Sequence, residues 1–181
     1  MARSLARRAS THGVEGTAVL EIGGGVGQVV LELLKAGASR GEIVEVVPAY
    51  EEHARALAAE AGVGDRLSYR TADLVADPEA GVPADVVVLN KVVCCTPDGV
   101  ELAGLAASLA RRTLALSFPR DVVWSRAFFG ATNLLLRLAR KRFRVFLHPP
   151  RALAAAVEAQ GLSLVSERDG PLFRIVAYER T

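Results

Sequence analysis

The chain predicts an α/β domain built on a mostly parallel sheet, and three observations lead there. First, Val19-Leu20-Glu21-Ile22-Gly23-Gly24-Gly25-Val26-Gly27 joins a short apolar run to a glycine cluster, and Gln28 to Lys35 restarts with helical spacing of apolar residues. Second, strand-like and helix-like segments alternate regularly as far as Phe118, which demands a parallel sheet with right-handed crossovers. Third, four apolar strands are followed at their carboxyl ends by polar residues: Glu21, Glu45, Asp73 and Asn90. In such a sheet the ligand crevice lies between the first and fourth strands, where the chain reverses direction, and these four residues would border it.

Composition fits this class. A chain of 181 residues with 51% hydrophobic and 23% charged content makes one domain with a substantial core, read here as residues 1–181. The net charge of +2 predicts no long-range attraction to nucleic acid, so nucleic acid is not an expected partner. Adjacent Cys94 and Cys95 supply neither a disulfide framework nor a zinc ligand set, so no metal is expected. They read as thiols at a packed strand end in a reduced, cytoplasmic setting. Residues 1–12 carry Arg3, Arg7 and Arg8 without the apolar middle of a secretory signal, and read as a short basic amphipathic arm. The apolar run from Ala127 to Leu136 is too short to span a bilayer, so no transmembrane segment is expected.

In the first unit, Ala18 to Ile22 reads as a buried strand. Gly23, Gly25 and Gly27 let the chain turn sharply and approach a ligand, while the helix starting at Gln28 offers free N–H groups to an anion. A dinucleotide fingerprint counted from Gly23 would place glycine where Gln28 stands. Glu21 beside the loop also disfavours a pyrophosphate and favours a cationic ligand head. The second strand, Glu42 to Val47, ends at Pro48. Glu45, about 20 residues beyond the glycine loop, is placed to accept both hydroxyls of a ribose, with Val46 beside it. Taken alone Glu45 is equally a solvated strand-end acid, and it does not distinguish nicotinamide dinucleotides from other adenosine ligands.

A helix over Tyr50 to Ala61, with His53 on its surface, leads to a strand over Arg66 to Arg70 and then Asp73-Leu74, where Asp73 also suits a turn cap. Val86 to Asn90 is apolar enough for a central strand buried on both faces. A helix over Val100 to Arg112, a strand over Thr113 to Phe118, a helix from Arg151 to Gln160, and strands over Leu162 to Ser166 and Phe173 to Tyr178 complete the pattern.

Glu21, Gly23, Gly24, Gly25 and Gly27 together resemble the first motif of the class I S-adenosylmethionine-dependent methyltransferases, and the resemblance extends from Val14 to Tyr178. The run Asp85-Val86-Val87-Val88-Leu89-Asn90-Lys91-Val92-Val93-Cys94-Cys95-Thr96-Pro97-Asp98 resembles magnesium-protoporphyrin O-methyltransferases and small methyltransferases related to them. It departs from that pattern at Asn90-Lys91, where a His-Arg pair is expected, and at Thr96, where a tyrosine is expected. The resemblance implies a Rossmann-like, seven-stranded sheet in the order 3-2-1-4-5-7-6 with the last strand antiparallel. It also implies S-adenosyl-L-methionine as cofactor and S-adenosyl-L-homocysteine as product. Gly23, Gly24, Gly25, Gly27 and Gln28 would hold the methionine end, Glu21 would favour its cation, Glu45 would hold the ribose and Asp73-Leu74 the adenine, with Val46 and Asn90 also at the cofactor site. Relatives carry a longer N-terminal helical segment that closes over the site. The short arm here therefore implies weak intrinsic turnover, or a lid supplied by a second protomer or another protein.

Residues 120–150 depart from the minimal sheet and read as a helical insertion covering the substrate side. They hold Trp124, Phe128, Phe129, a leucine run and the basic stretch Arg137-Leu138-Ala139-Arg140-Lys141-Arg142-Phe143-Arg144. Such a segment can cover a hydrophobic substrate, lie against an anionic membrane surface or bind a partner, while the leucines by themselves read as core. His148 is a candidate base for an oxygen nucleophile, or a loop histidine with a structural hydrogen bond. The expected activity is methylation of a small or hydrophobic acceptor, with O-methylation favoured. The alternatives are a cofactor-binding interaction protein without turnover and a methyltransferase acting on RNA. A nicotinamide-dependent oxidoreductase is disfavoured by Gln28 and Glu21.

Overall fold

Strand residues that alternate between two faces must bury both, and the helices divide accordingly. In the computed structural model, which describes residues 2–9 and 13–181, seven strands form one sheet in the order β3-β2-β1-β4-β5-β7-β6. They are β1 (Ala18–Ile22), β2 (Arg40–Glu45), β3 (Leu67–Thr71), β4 (Ala84–Asn90), β5 (Ala110–Pro119), β6 (Leu162–Asp169) and β7 (Phe173–Arg180). β7 pairs antiparallel with both β5 and β6, and the remaining pairs are parallel. The expected order is therefore the observed one.

The described residues hold the helices α1 (Ala2–Ala9), α2 (Gln28–Lys35), α3 (Glu51–Glu60), α4 (Gly99–Leu109), α5 (Val123–Leu138) and α6 (Pro150–Glu158), and all but α5 contribute buried residues to the core on one face of the sheet or the other. Val19, Ile43, Val86, Val88 and Ala115 pack with residues of α1, α2 and α3 on one face. Leu20, Ile22, Val44, Val87, Leu89, Leu114 and Leu116 pack with α4 and α6 on the other. β4 contributes to both clusters, which explains its unbroken apolar run.

Departures from expectation include two element boundaries and the burial of one helix. β2 stops at Glu45, not Val47, because its pairing with β1 ends at Ile22 opposite Val44 and the Glu45 carboxylate takes the Val47 N–H at 3.0 Å, turning the chain outward. α4 ends at Leu109, and Arg111-Arg112 join β5, whose ladder with β4 begins at Ala110. The leucines of α5 are not core: Leu134, Leu135 and Leu138 are exposed, and only Ser125 and Phe129 of this helix are buried.

The N-terminal arm is helical over its described part, while Met1 and residues 10–12 lie outside the described residues. α1 packs against α2, β4, β5 and β7, with Leu5, Ala6 and Ala9 buried. It is a component of the core on the α2 face. Leu5 is fully buried, so Leu5→Ala is expected to cost about 3 kcal/mol of stability, read by urea denaturation. An unchanged unfolding midpoint would mean that the helix is only loosely docked.

Candidate active site

The glycine turn is shaped by its neighbours. Gly23 has a φ of +62° and donates to the Val44 carbonyl at 2.7 Å, and a β-carbon there would collide with Val92. Gly25, at φ +55°, has open space where a β-carbon would stand, and donates to Glu45 Oε2 at 2.9 Å. A side chain at Gly23 is excluded by packing and strain, whereas at Gly25 the left-handed backbone and the ligand space make the demand.

α2 has no side-chain cap from its own N-cap residue, Gly27. The cap comes from β1: Glu21 Oε2 accepts the Val30 N–H at 2.7 Å, and the carboxyl group is buried beneath the loop. Burial pushes the Glu21 carboxyl up to about 8, against the lowering effect of the Val30 and Val29 N–H groups, while the charge of Glu45 adds to the rise.

Above the carboxyl ends of β1 to β4 lies a cavity of about 650 Å³. Ile22, Gly23, Gly24 and Gly25 form one wall, and Glu45, Val46, Val47 and Tyr50 form the next. Ala72, Asp73, Leu74 and Val75 follow β3, and Lys91, Val92, Cys95, Thr96 and Pro97 follow β4, with Val44, Leu102 and Phe143 completing the lining. Asp73 also caps its own turn, accepting the Val75 N–H at 3.0 Å, and Leu74 is buried behind it.

The structure thus brings Gly23, Gly24, Gly25, Glu45, Val46, Asp73 and Leu74 together on one cavity, and leaves Glu21, Gly27, Gln28, Asn90 and His148 off its surface. Glu21 caps the helix below. The Asn90 side chain accepts from Ser117 Oγ at 3.0 Å. His148 Nε2 lies 3.0 Å from the Thr96 carbonyl oxygen, which requires the ring to donate at that nitrogen, and its ring stacks near Phe146.

Lys91, like Thr96, is a lining residue that the sequence marked only as a departure from a motif. It holds a left-handed φ of +61°, costly outside glycine, with its N–H donating to Ser117 Oγ at 3.0 Å and its Nζ 5.3 Å from the Phe173 ring centre. Tyr50 and Phe143 were also missed as lining residues; an aromatic after Pro48 and one within the basic stretch were the available signals.

Cys94 and Cys95 sit on a short 3-10 turn, not in a strand. Both thiols donate to the Lys91 carbonyl, at 3.3 and 3.2 Å. Cys94 is buried and Cys95 exposed; the neighbouring Cys95 thiol together with burial raises the pKa of Cys94, and the neighbouring Cys94 thiol lowers that of Cys95. Iodoacetamide is therefore expected to alkylate Cys95 before Cys94, and a cavity ligand to slow the reaction, as read by peptide mass mapping. Equal labelling of both thiols would contradict this geometry.

No protein-family profile matches the chain, and no curated protein matches it. Solved structures do. Magnesium protoporphyrin IX methyltransferase from Synechocystis PCC 6803 with bound SAH is 22% identical, covers 99% of this chain and 81% of its own, and superposes with a TM-score of 0.77. An O-methyltransferase family protein from Burkholderia thailandensis is 21% identical over 100% of this chain and 55% of its own, with a TM-score of 0.79. A geranyl diphosphate C-methyltransferase from Streptomyces coelicolor, in complex with Mg2+, geranyl diphosphate and S-adenosyl-L-homocysteine, is 12% identical over 99% of this chain and 76% of its own, with a TM-score of 0.76. Sheet order, strand directions and these superpositions together place the chain in the Rossmann-like fold of the class I S-adenosylmethionine-dependent methyltransferases.

Proposed function

We propose that the chain binds S-adenosyl-L-methionine in this cavity and transfers its methyl group to a small, apolar acceptor, with an oxygen acceptor favoured. The observation that carries the reading is Glu45. Its carboxylate borders the cavity, and through the Gly25 N–H it is tied to the glycine turn that forms the adjoining wall. The fit is supported by the open space over Gly25 and by a cavity volume within the usual range for small-molecule sites.

In this reading Glu45 accepts the ribose hydroxyls, Asp73 the adenine amino group, and Leu74 and Val46 flank the ring. The glycine turn receives the methionine end. Glu21, Gly27 and Gln28 act from below as positioning residues that fix the start of α2. The sulfonium supplies an already activated methyl group, so the protein's contribution is chiefly alignment and exclusion of water. Lys91, Val92, Pro97 and Phe143, on the wall after β4, form the acceptor side. Phe143 brings the 120–150 segment to that side of the cavity.

His148 belongs to the same machinery as a positioning residue: with Nε2 donating to Thr96, it holds the cavity wall rather than taking a proton. His148→Gln, which can still donate, is expected to keep most of kcat and leave the pH profile unchanged. His148→Ala is expected to lower kcat/KM about tenfold, the cost of one lost hydrogen bond. Loss of the acidic limb of the profile in His148→Gln would restore the general-base role.

Calorimetric titration with S-adenosylmethionine, S-adenosylhomocysteine and NAD tests the cofactor, followed by transfer of a labelled methyl group to a panel of phenols, carboxylic acids and RNA. Binding of both sulfur ligands but not NAD, and labelling of a small lipophilic acceptor, is expected. Binding without transfer to any acceptor would favour an interaction protein that keeps the pocket, and salt-sensitive labelling of RNA would replace the acceptor class.

A further inference from the structure

We infer that α5 and the basic segment after it form a docking surface for an anionic lipid membrane, beside the mouth of the cavity. At about 100° per residue, Val123, Trp124, Ala127, Phe128, Ala131, Leu134, Leu135 and Leu138 fall on one arc of about 140° of the helix. All of them are exposed. The arc contains no polar side chain. The opposite side carries the inward-facing residues, with Ser125 and Phe129 buried and Asn133 half-buried. The usual polarity of a surface helix is thus inverted, with the apolar stripe facing away from the protein.

Charge selects the occupant. Between Asp121 and Glu158 the chain has no acid but seven bases, so the rest of the molecule is net acidic. Arg137, Arg140, Lys141, Arg142 and Arg144 cluster at the carboxyl end of the apolar stripe. Among the described residues no carboxylate pairs with Arg137, Arg140, Lys141 or Arg142. A second copy seated on this face would set one cationic cluster against another, whereas an anionic bilayer offers both an acyl boundary for Trp124, Phe128 and the leucines and negative headgroups for the cluster. No helix among the described residues is long and apolar enough to cross a membrane, so the contact is interfacial.

The surface is mechanically joined to the cavity. Asn133 on α5 accepts the Val145 N–H and donates to the Val145 carbonyl, each at 2.8 Å. The next residue, Phe146, donates its N–H to the Cys94 carbonyl at 2.8 Å, and Phe143 in the same segment lines the cavity while remaining half exposed. A membrane bound to α5 therefore lies next to the opening through which a lipophilic acceptor would enter; only this last clause rests on the proposed methyl transfer.

Trp124 is the only tryptophan in the chain and lies on the apolar arc, which makes it a direct probe. The full chain is titrated with vesicles of phosphatidylcholine alone and of phosphatidylcholine with phosphatidylglycerol, some carrying brominated acyl chains. Expected are a blue shift and bromine quenching of Trp124 only with the anionic vesicles, weakened by added salt. Arg140→Glu/Lys141→Glu/Arg142→Glu should lose vesicle affinity by at least about a hundredfold, at roughly fivefold for each of the three cations removed and more for the anions that replace them. Phe128→Glu/Leu135→Glu should abolish quenching. All five positions are exposed, so circular dichroism and the unfolding midpoint should not change. Unquenched Trp124, or equal binding to neutral vesicles, overturns the proposal. So does a concentration-dependent dimer dispersed by the Phe128/Leu135 change, or tighter binding to RNA than to vesicles. Because the readout is fluorescence, failure here leaves the methyl-transfer reading standing, and failure to bind S-adenosylmethionine leaves this one standing.

Discussion

Glu45→Ala is expected to weaken S-adenosylmethionine binding by about 100-fold to 1000-fold, the largest single-residue effect at the site. A hydrogen bond to a charged group contributes about 1.5 to 3 kcal/mol, and a ribose held by one carboxylate makes two of them, which at the lower end of that range gives about 3 to 4 kcal/mol. The same side chain holds the turn, accepting from Gly25 at 2.9 Å and from Val47 at 3.0 Å, so its removal also frees the loop that the ligand must meet. Glu45→Gln separates the two effects. It keeps an acceptor for one backbone N–H but loses the charge and one acceptor, and is expected to bind about tenfold more weakly than the parent chain. Calorimetry reads the affinity, and the unfolding midpoint without ligand reads the loop. An alanine variant that binds normally would remove the observation on which the proposed function rests.

The second large effect is a pH dependence of stability that runs opposite to the usual carboxylate case. Glu21 is raised from 4.5 to about 8 by burial, so between those values the folded chain holds a proton that the unfolded chain has released. Stability therefore falls as pH rises through that window, by roughly 3 to 5 kcal/mol, and levels off above it. Glu21→Gln keeps an acceptor for the Val30 N–H and cannot ionise. It is expected to match the parent near pH 5, to exceed it near pH 9, and to flatten the profile between. Glu21→Ala loses the cap and leaves a cavity, costing about 2 to 3 kcal/mol even near pH 5. Urea unfolding across the pH range tests both variants, and parallel profiles for the parent and Glu21→Gln would refute the assignment.

The same residue shows how far the sequence could be read. The acid beside a glycine cluster was legible, but whether its carboxyl group faces a ligand or the helix below depends on where α2 begins in space. The open end at Val29 and Val30 draws it downward. Glu45 was legible as a strand-end acid, yet its bond to Gly25 crosses two strands and appears in no local pattern. The leucines of α5 misled for a related reason. Apolar spacing identifies a helix with one greasy side but not what that side meets, and here α5 presents it outward.

By itself the sequence determined the α/β class, the strand-turn-helix unit at Gly23 to Gly27, and the residues that end β1 to β4, because alternation and glycine chemistry are local. Through its family resemblance it also anticipated the sheet order. Only the tertiary structure decided which of those residues share a cavity, that α1 is core, that His148 is tied to Thr96, and that Lys91 and Phe143 complete the wall. These depend on the direction a side chain takes once distant segments meet, which is set by packing and hydrogen bonding across the sheet and not by neighbours along the chain.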